Sequence, residues 1–173
     1  MRQHQARPCW EHPARSRAPS SNQQQPGDII DCSFYDPRDK KFAGGAKGDG
    51  IADDRAPLQA AIDAAFADRA SFKPSGSGAV YTDDTPTVFI HGARYRLGAA
   101  LSVPSACRIV ALGTASFEPS GMFPAIKALS AYQLYIDGIN FIGGSSAVVI
   151  QNDNTESTMI DFVNCEFKTR TEI

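Results

Sequence analysis

Short apolar segments, recurring at a near-constant interval and separated by Gly, Asn and Asp, constrain this chain more than any other feature. From residue 87 onward they run Val88–Ile90, Tyr95–Leu97, Leu101–Pro104, Arg108–Gly113, Ala125–Leu129, Gln133–Phe141, Ala147–Ile150 and Thr158–Phe167. The hexapeptide Ile136–Phe141 superposes on Ile160–Cys165, 24 positions further on, and the strands at Ile126 and Val149 lie 23 apart. A period of this size, built from short β-branched strands, fits one coil of a β-solenoid. Each coil exposes apolar edges and cannot stand alone, so stacked neighbours must share a continuous core. A βαβ sheet would need helical patterns between the strands, and none intervenes here. The expected class is therefore all-β, with about three coils before Ile173.

Upstream, a glycine-rich loop, Gly44–Gly50, leads directly into an amphipathic segment. Asp53 or Asp54 stands where an N-cap belongs, with its carboxylate accepting from the first unpaired backbone N–H groups. The second acid falls in the first turn, where the positive end of the helix dipole favours it. Pro57 lies early in the helix, where a missing N–H costs little. Leu58, Ile62, Ala65 and Phe66 recur at three- and four-residue steps and predict one apolar stripe on a helix over about 53–68. Before the loop, Ile29–Phe34 predicts a first strand and Asp36–Asp39 a proline turn. Ala79–Tyr81 predicts a short strand inside an otherwise polar loop.

Gly-Ala-Lys-Gly-Asp-Gly-Ile-Ala-Asp-Asp at 45–54, running into Gln59–Ala65, closely resembles the N-terminal signature of the pectate-lyase-like superfamily. The likeness continues through Val88–Ile90, a glycine turn at Gly92 and Tyr95-x-Leu97, and spans residues 42 to 167. It implies a right-handed parallel β-helix whose N-terminal end is plugged by the helix. It also implies a polysaccharide partner, lyase or glycosidase activity in the whole protein, calcium if that activity is a lyase's, and a homotrimer if the protein is tailspike-like. An extracellular, cell-surface or virion location follows from the same resemblance. Family members of the polygalacturonase type carry Asn-Thr-Asp, Asp-Asp, Gly-His-Gly and Arg-Ile-Lys motifs on later coils, and none of these follows the helix here. Asp83-Asp84 matches only the letters. The catalytic coils are thus expected to be absent from this chain, which would then be the N-terminal part of a longer carbohydrate-active protein. The alternative is a non-enzymatic structural or adhesive β-helix. An uncapped solenoid end leaves strand edges open, so self-association is the other expectation for a chain of this length.

Composition sets further bounds. With 173 residues the chain has room for one sizeable core, assigned to 29–173, behind a Pro-, Ser-, Gln- and Arg-rich tail at 1–28 expected to be disordered. A net charge of −2, from 17 basic and 19 acidic side chains, gives no support to nucleic-acid binding. No apolar run is long enough to span a membrane, and the first residues lack the apolar core of a secretory signal. Cys9, Cys32, Cys107 and Cys165 show neither CxxC pairing nor metal-ligand spacing with the histidines. Cys107 and Cys165 read as small core hydrophobes, and no zinc site or other resident metal is expected.

Candidate chemistry is sparse. Asp137 and Asp161 fall at equivalent places in the repeat. Stacked strands lie about 4.8 Å apart, close enough for such a pair to divide acid and base roles in glycoside cleavage or to hold calcium. The structural alternative is a pair of turn aspartates repeated because the coil repeats. Asn140 and Asn164 suggest a side-chain amide ladder between coils. Tyr132 and Tyr135, with Asn152 and Asp153, are candidates for contact with a sugar. Gly48–Gly50 with Asp53 and Asp54 lacks the spacing of an EF-hand and is explained by helix capping. His91 sits in a turn with no Ser or Cys nucleophile beside it in sequence and reads as a surface residue.

Overall fold

A computed structural model describes residues 35–71, 87–103, 107–129, 134–151 and 160–168. The N-terminal tail, the expected strands at 29–34 and 79–81, and the candidates Tyr132, Asn152 and Asp153 lie outside the described residues.

The Asp36–Asp39 turn forms as expected. Asp39 N–H donates to the Asp36 carbonyl at 3.0 Å, and Arg38 N–H to the Asp36 carboxylate at 2.9 Å. Part of the glycine loop, expected to be irregular, is instead a strand, β1 (Asp49–Asp53). Asp49 Oδ1 accepts from the N–H groups of Ile51 and Ala52, both at 2.8 Å, and this bulges the strand. Consequently Asp49 pairs with Arg94 but Asp53 with Arg96, so β1 spends two extra residues over the same length of partner.

Helix α1 (Arg55–Ser71) starts directly after the two aspartates. Asp54 is the N-cap by position, since its carbonyl accepts from Leu58 N–H at 3.2 Å. Its carboxylate, however, turns back and takes the N–H groups of Lys47 and Gly48, at 2.6 and 3.0 Å. The side-chain capping falls to Asp53, whose Oδ1 accepts from Arg55 N–H at 3.0 Å and from Gly98 N–H at 2.8 Å. Leu58, Ala61, Ile62 and Ala65 are buried, but Phe66 is 40% exposed. At about 100° per residue Phe66 lies roughly a quarter-turn away from the centre of that stripe.

The stripe lies against β2 (Thr87–His91), β3 (Arg94–Leu97), β4 (Leu101–Val103) and β5 (Cys107–Pro119). Gln59 adds a polar contact. Its amide accepts from Ser102 N–H and donates to Ser102 C=O, both at 2.8 Å, so a side chain occupies the outer edge of β4 as a neighbouring strand would.

The remaining strands are β6 (Ile126–Leu129), β7 (Leu134–Ile142), β8 (Val148–Gln151), β9 (Ile160–Val163) and β10 (Glu166–Lys168). All pair in parallel. One sheet follows the order β1-β3-β5-β7-β10, with β2 beside β5 and β9 beside β7, and the other follows β4-β6-β8. The described residues are thus mostly β, with two parallel sheets and one helix, an architecture compatible with a parallel β-solenoid. β5 and β7 bend midway at Gly113 (φ 92°) and Gly138 (φ 74°), and β9 and β10 are separated by Asn164 (φ 50°). The left-handed backbone at these three places marks the same bend in successive layers, and glycine or asparagine is what tolerates it.

Parallel register stacks like on like. Val88, Ile109, Ile136 and Phe162 form one row, and Leu101, Ile126 and Val148 another. Tyr95, Phe117, Phe141 and Phe167 form an aromatic column with successive ring centroids 6.2, 6.0 and 5.3 Å apart. Each fully buried aliphatic or aromatic side chain in these rows contributes about 1.5–3 kcal/mol, and Val88, Leu101, Ile109, Phe117, Ile126 and Ile136 have no measurable exposure.

This register corrects the sequence alignment. Asp137 is opposite Val163, and Asp161 is opposite Tyr135, so the two aspartates are displaced by two residues and are not a stacked pair. Asn140 is opposite Glu166, and Asn164 occupies the bend, so no amide ladder joins the two asparagines. The column that repeats from layer to layer is aromatic.

Candidate functional site

Strand alternation builds a polar cleft on the outer face of the larger sheet. In β3, Tyr95 and Leu97 point into the core while Arg94 and Arg96 point outward. The parallel register sets Arg94 beside Ser116 and Arg96 beside Glu118, and Ile142 of β7 follows Phe141, the partner of Phe117. Gly50, Arg94, Arg96, Glu118, Pro119, Ser120 and Ile142 line a cleft of about 330 Å³.

The cleft is held by one strong contact. Arg94 Nε and Nη2 donate to the two oxygens of Glu118, each at 2.8 Å, in a bidentate pair. Ser116 Oγ donates to Glu118 Oε1 at 2.8 Å. The carboxylate keeps the Arg94 guanidinium charged to still higher pH than usual. Gly50 permits this geometry: its φ is 72°, and a Cβ there would meet the Arg94 side chain at 3.3 Å. Arg96 uses one N–H, from Nη1, on the Ile51 carbonyl at 3.2 Å, out of the five an arginine offers. Among the residues that line the cleft two cations face one carboxylate, while β1 sets Asp49 in register with Arg94 and Asp53 with Arg96. Glycoside cleavage by acid and base needs two carboxyl groups some 5–9 Å apart. Here the single carboxylate is already engaged by Arg94 and Ser116. The arrangement is suited to holding an anion.

The expected catalytic residues lie elsewhere, on the β7–β9 part of the sheet. Asp137 accepts from Asn164 Nδ2 at 3.0 Å and from the Tyr135 hydroxyl at 3.4 Å, tying the β9–β10 bend to β7. Tyr135 carries the Arg108 guanidinium over its ring, 4.8 Å from the centroid, so that face of the ring is occupied rather than open to a sugar. His91 Nε2 lies 3.0 Å from Asp36 Oδ2. The Asp36–His91 contact fastens the proline turn to β2, and the buried Tyr95 hydroxyl donates to the His91 carbonyl at 3.0 Å. Among the described residues no hydroxyl or thiol is hydrogen-bonded to the His91 ring, so the pair lacks the nucleophile of a triad. Cys107 is buried as expected; Cys165 is half-buried, and burial pushes its thiol pKa up, which makes it a poor nucleophile. Among the described residues no three His, Cys, Asp or Glu side chains gather as a metal site, and no helix is long and apolar enough to cross a membrane.

The sequence reading did not find Arg94, Arg96 and Glu118. Aligning the chain on its aromatics would have shown them, because Arg-Tyr-Arg, Ser-Phe-Glu, Asn-Phe-Ile and Glu-Phe-Lys at 94–96, 116–118, 140–142 and 166–168 place a ring of the aromatic column between two outer-face residues in each layer.

Comparison with protein-family models, with curated proteins and with solved structures gave no match.

Proposed function

We propose that this chain forms coils of a right-handed parallel β-helix of the pectate-lyase-like kind and binds an acidic polysaccharide on its outer sheet face, without cleaving it. The observation that carries this reading is the pairing of Arg94 and Arg96 in one cleft, with Glu118 fixing Arg94 and leaving Arg96 most of its donors. A guanidinium held on a rigid strand matches the planar carboxylate of a uronic acid. Parallel stacking repeats outward rows along the sheet, which gives an extended polymer a continuous surface to follow. The resemblance of Gly45–Asp54 to the superfamily signature supports the same substrate class. In this reading the chain acts as a glycan-binding part of a carbohydrate-active or adhesive protein.

Affinity for polygalacturonate, measured by calorimetry on the wild type and on Arg96→Ala, tests the assignment. Loss of one charge-assisted hydrogen bond, worth about 1.5–3 kcal/mol, predicts at least tenfold weaker binding with the fold unchanged by circular dichroism. Unchanged affinity in Arg96→Ala, or release of sugar products by the wild type, would refute it.

A further inference from the structure

The two ends of the strand stack are finished differently. At one end, among the described residues, β3 is covered by β1, β2 is bridged by Tyr35 at Val88, and the Gln59 amide covers β4, which leaves β1 as the outermost strand. β1 itself is short, bulged and flanked by Asp49 and Asp53, which discourages further pairing. At the other end, among the described residues, no strand lies beyond β8, β9 or β10. There Phe167 is 54% exposed, although it stacks on the buried Phe141, and Phe162 packs edge-on against it.

We infer that this open end pairs with the open end of a second copy, β10 against β10 in antiparallel register centred on Phe167. Three independent features select that register. The first is hydrogen-bond parity. The Lys168 carbonyl accepts from the N–H of Gly143, the residue that follows β7, at 2.9 Å. Alternation along a strand then directs Glu166 and Lys168 toward β7 and leaves the N–H and C=O of Phe167 on the open side. Two such residues related by a twofold axis form the antiparallel pair that exchanges both N–H···O bonds.

The second is charge. Centring on Phe167 sets Glu166 opposite the partner's Lys168, and Lys168 opposite the partner's Glu166. In one chain these two side chains already pair at 2.8 Å; in the dimer they exchange partners without leaving a charge unmatched. Opposite charges directly across an antiparallel pair stabilise it, and like charges destabilise it. The third is the aromatic column, which continues from Phe167 to the partner's Phe167 and covers both. A twofold interface of this kind uses the same edge of both copies and is filled on pairing, so the assembly stops at two copies.

The test is the oligomeric state of the full chain by size-exclusion chromatography with light scattering. The wild type is expected to be a dimer. Glu166→Lys and Lys168→Glu each set like charges opposite one another twice and are expected to be monomers with wild-type circular dichroism. Mixing these two variants restores both ion pairs and is expected to give a heterodimer, which also shows that each variant is folded. The double variant, with the charges interchanged, is expected to be a dimer again. A monomeric wild type, a trimer or larger assembly, single variants that dimerise like the wild type, or a mixture that stays monomeric would each overturn the inference.

Discussion

Tyr95 shows how much one residue holds together here. Its ring begins the aromatic column, its hydroxyl donates to the His91 carbonyl at 3.0 Å, and it has no measurable exposure. Burial, the largest influence, raises its phenol pKa above the ordinary 10.0, against a partly opposing effect of Arg38. In the unfolded chain the phenol ionises at its ordinary value, whereas in the folded protein it keeps its proton to higher pH. The resulting stabilisation is complete below pH 10.0 and falls as pH rises through the folded value. Urea unfolding as a function of pH should therefore show a loss of stability above pH 10 that is absent from Tyr95→Phe. The same variant should lose about 1 kcal/mol at neutral pH, with the hydrogen bond. An identical alkaline decline in both proteins would assign it to other groups. Residue-scale roles were only partly legible in the sequence. The two acids announced a cap, and Asp53 does cap Arg55, but neither falls in the first turn, where one was expected, because the helix begins at Arg55. That the Asp54 carboxylate instead clamps Lys47 and Gly48 depends on the path of the loop, which residue preferences do not encode.

Elements were easier to read than their register. The helix, the proline turn and most strands from Thr87 onward lie where apolar periodicity placed them. The alignment failed by two residues between β7 and β9 because it matched letters, Ile-Asp with Ile-Asp, whereas the fold matches volumes. Stacking Phe141 on Phe167 at 5.3 Å fixes β10 on β7, and β9 follows with Leu134 against Ile160. The bend tolerates this shift because Asn164 adopts the left-handed conformation that Gly113 and Gly138 supply in the layers before it. Phe117, at the middle of the column between Tyr95 and Phe141, carries the largest energetic consequence. Phe117→Ala should destabilise the protein by about 3–5 kcal/mol in chemical denaturation. Phe66→Ala, on the helix at 40% exposure, should cost less than about 1 kcal/mol. Equal costs at the two positions would mean that the column is not the core of the fold.

At the scale of the whole molecule, parallel stacking turns a local alternation into a surface. The first three layers each bury one aromatic and set its two neighbours on the outer face, so Arg94 and Arg96 reach the same face as Ser116, Glu118, Asn140 and Ile142. This placement was hidden in the sequence because it arises only once the layers are in register. The carboxylates that looked catalytic fell on another part of the sheet, with Asp137 engaged by Asn164 and Tyr135. The most direct measurement is calorimetric titration of the full chain with polygalacturonate and with the same polymer fully methyl-esterified. Charge recognition by the Arg94–Arg96 cleft predicts binding to the acidic polymer that weakens with added salt and is lost on esterification. Equal binding to both polymers, or to neither, would contradict it.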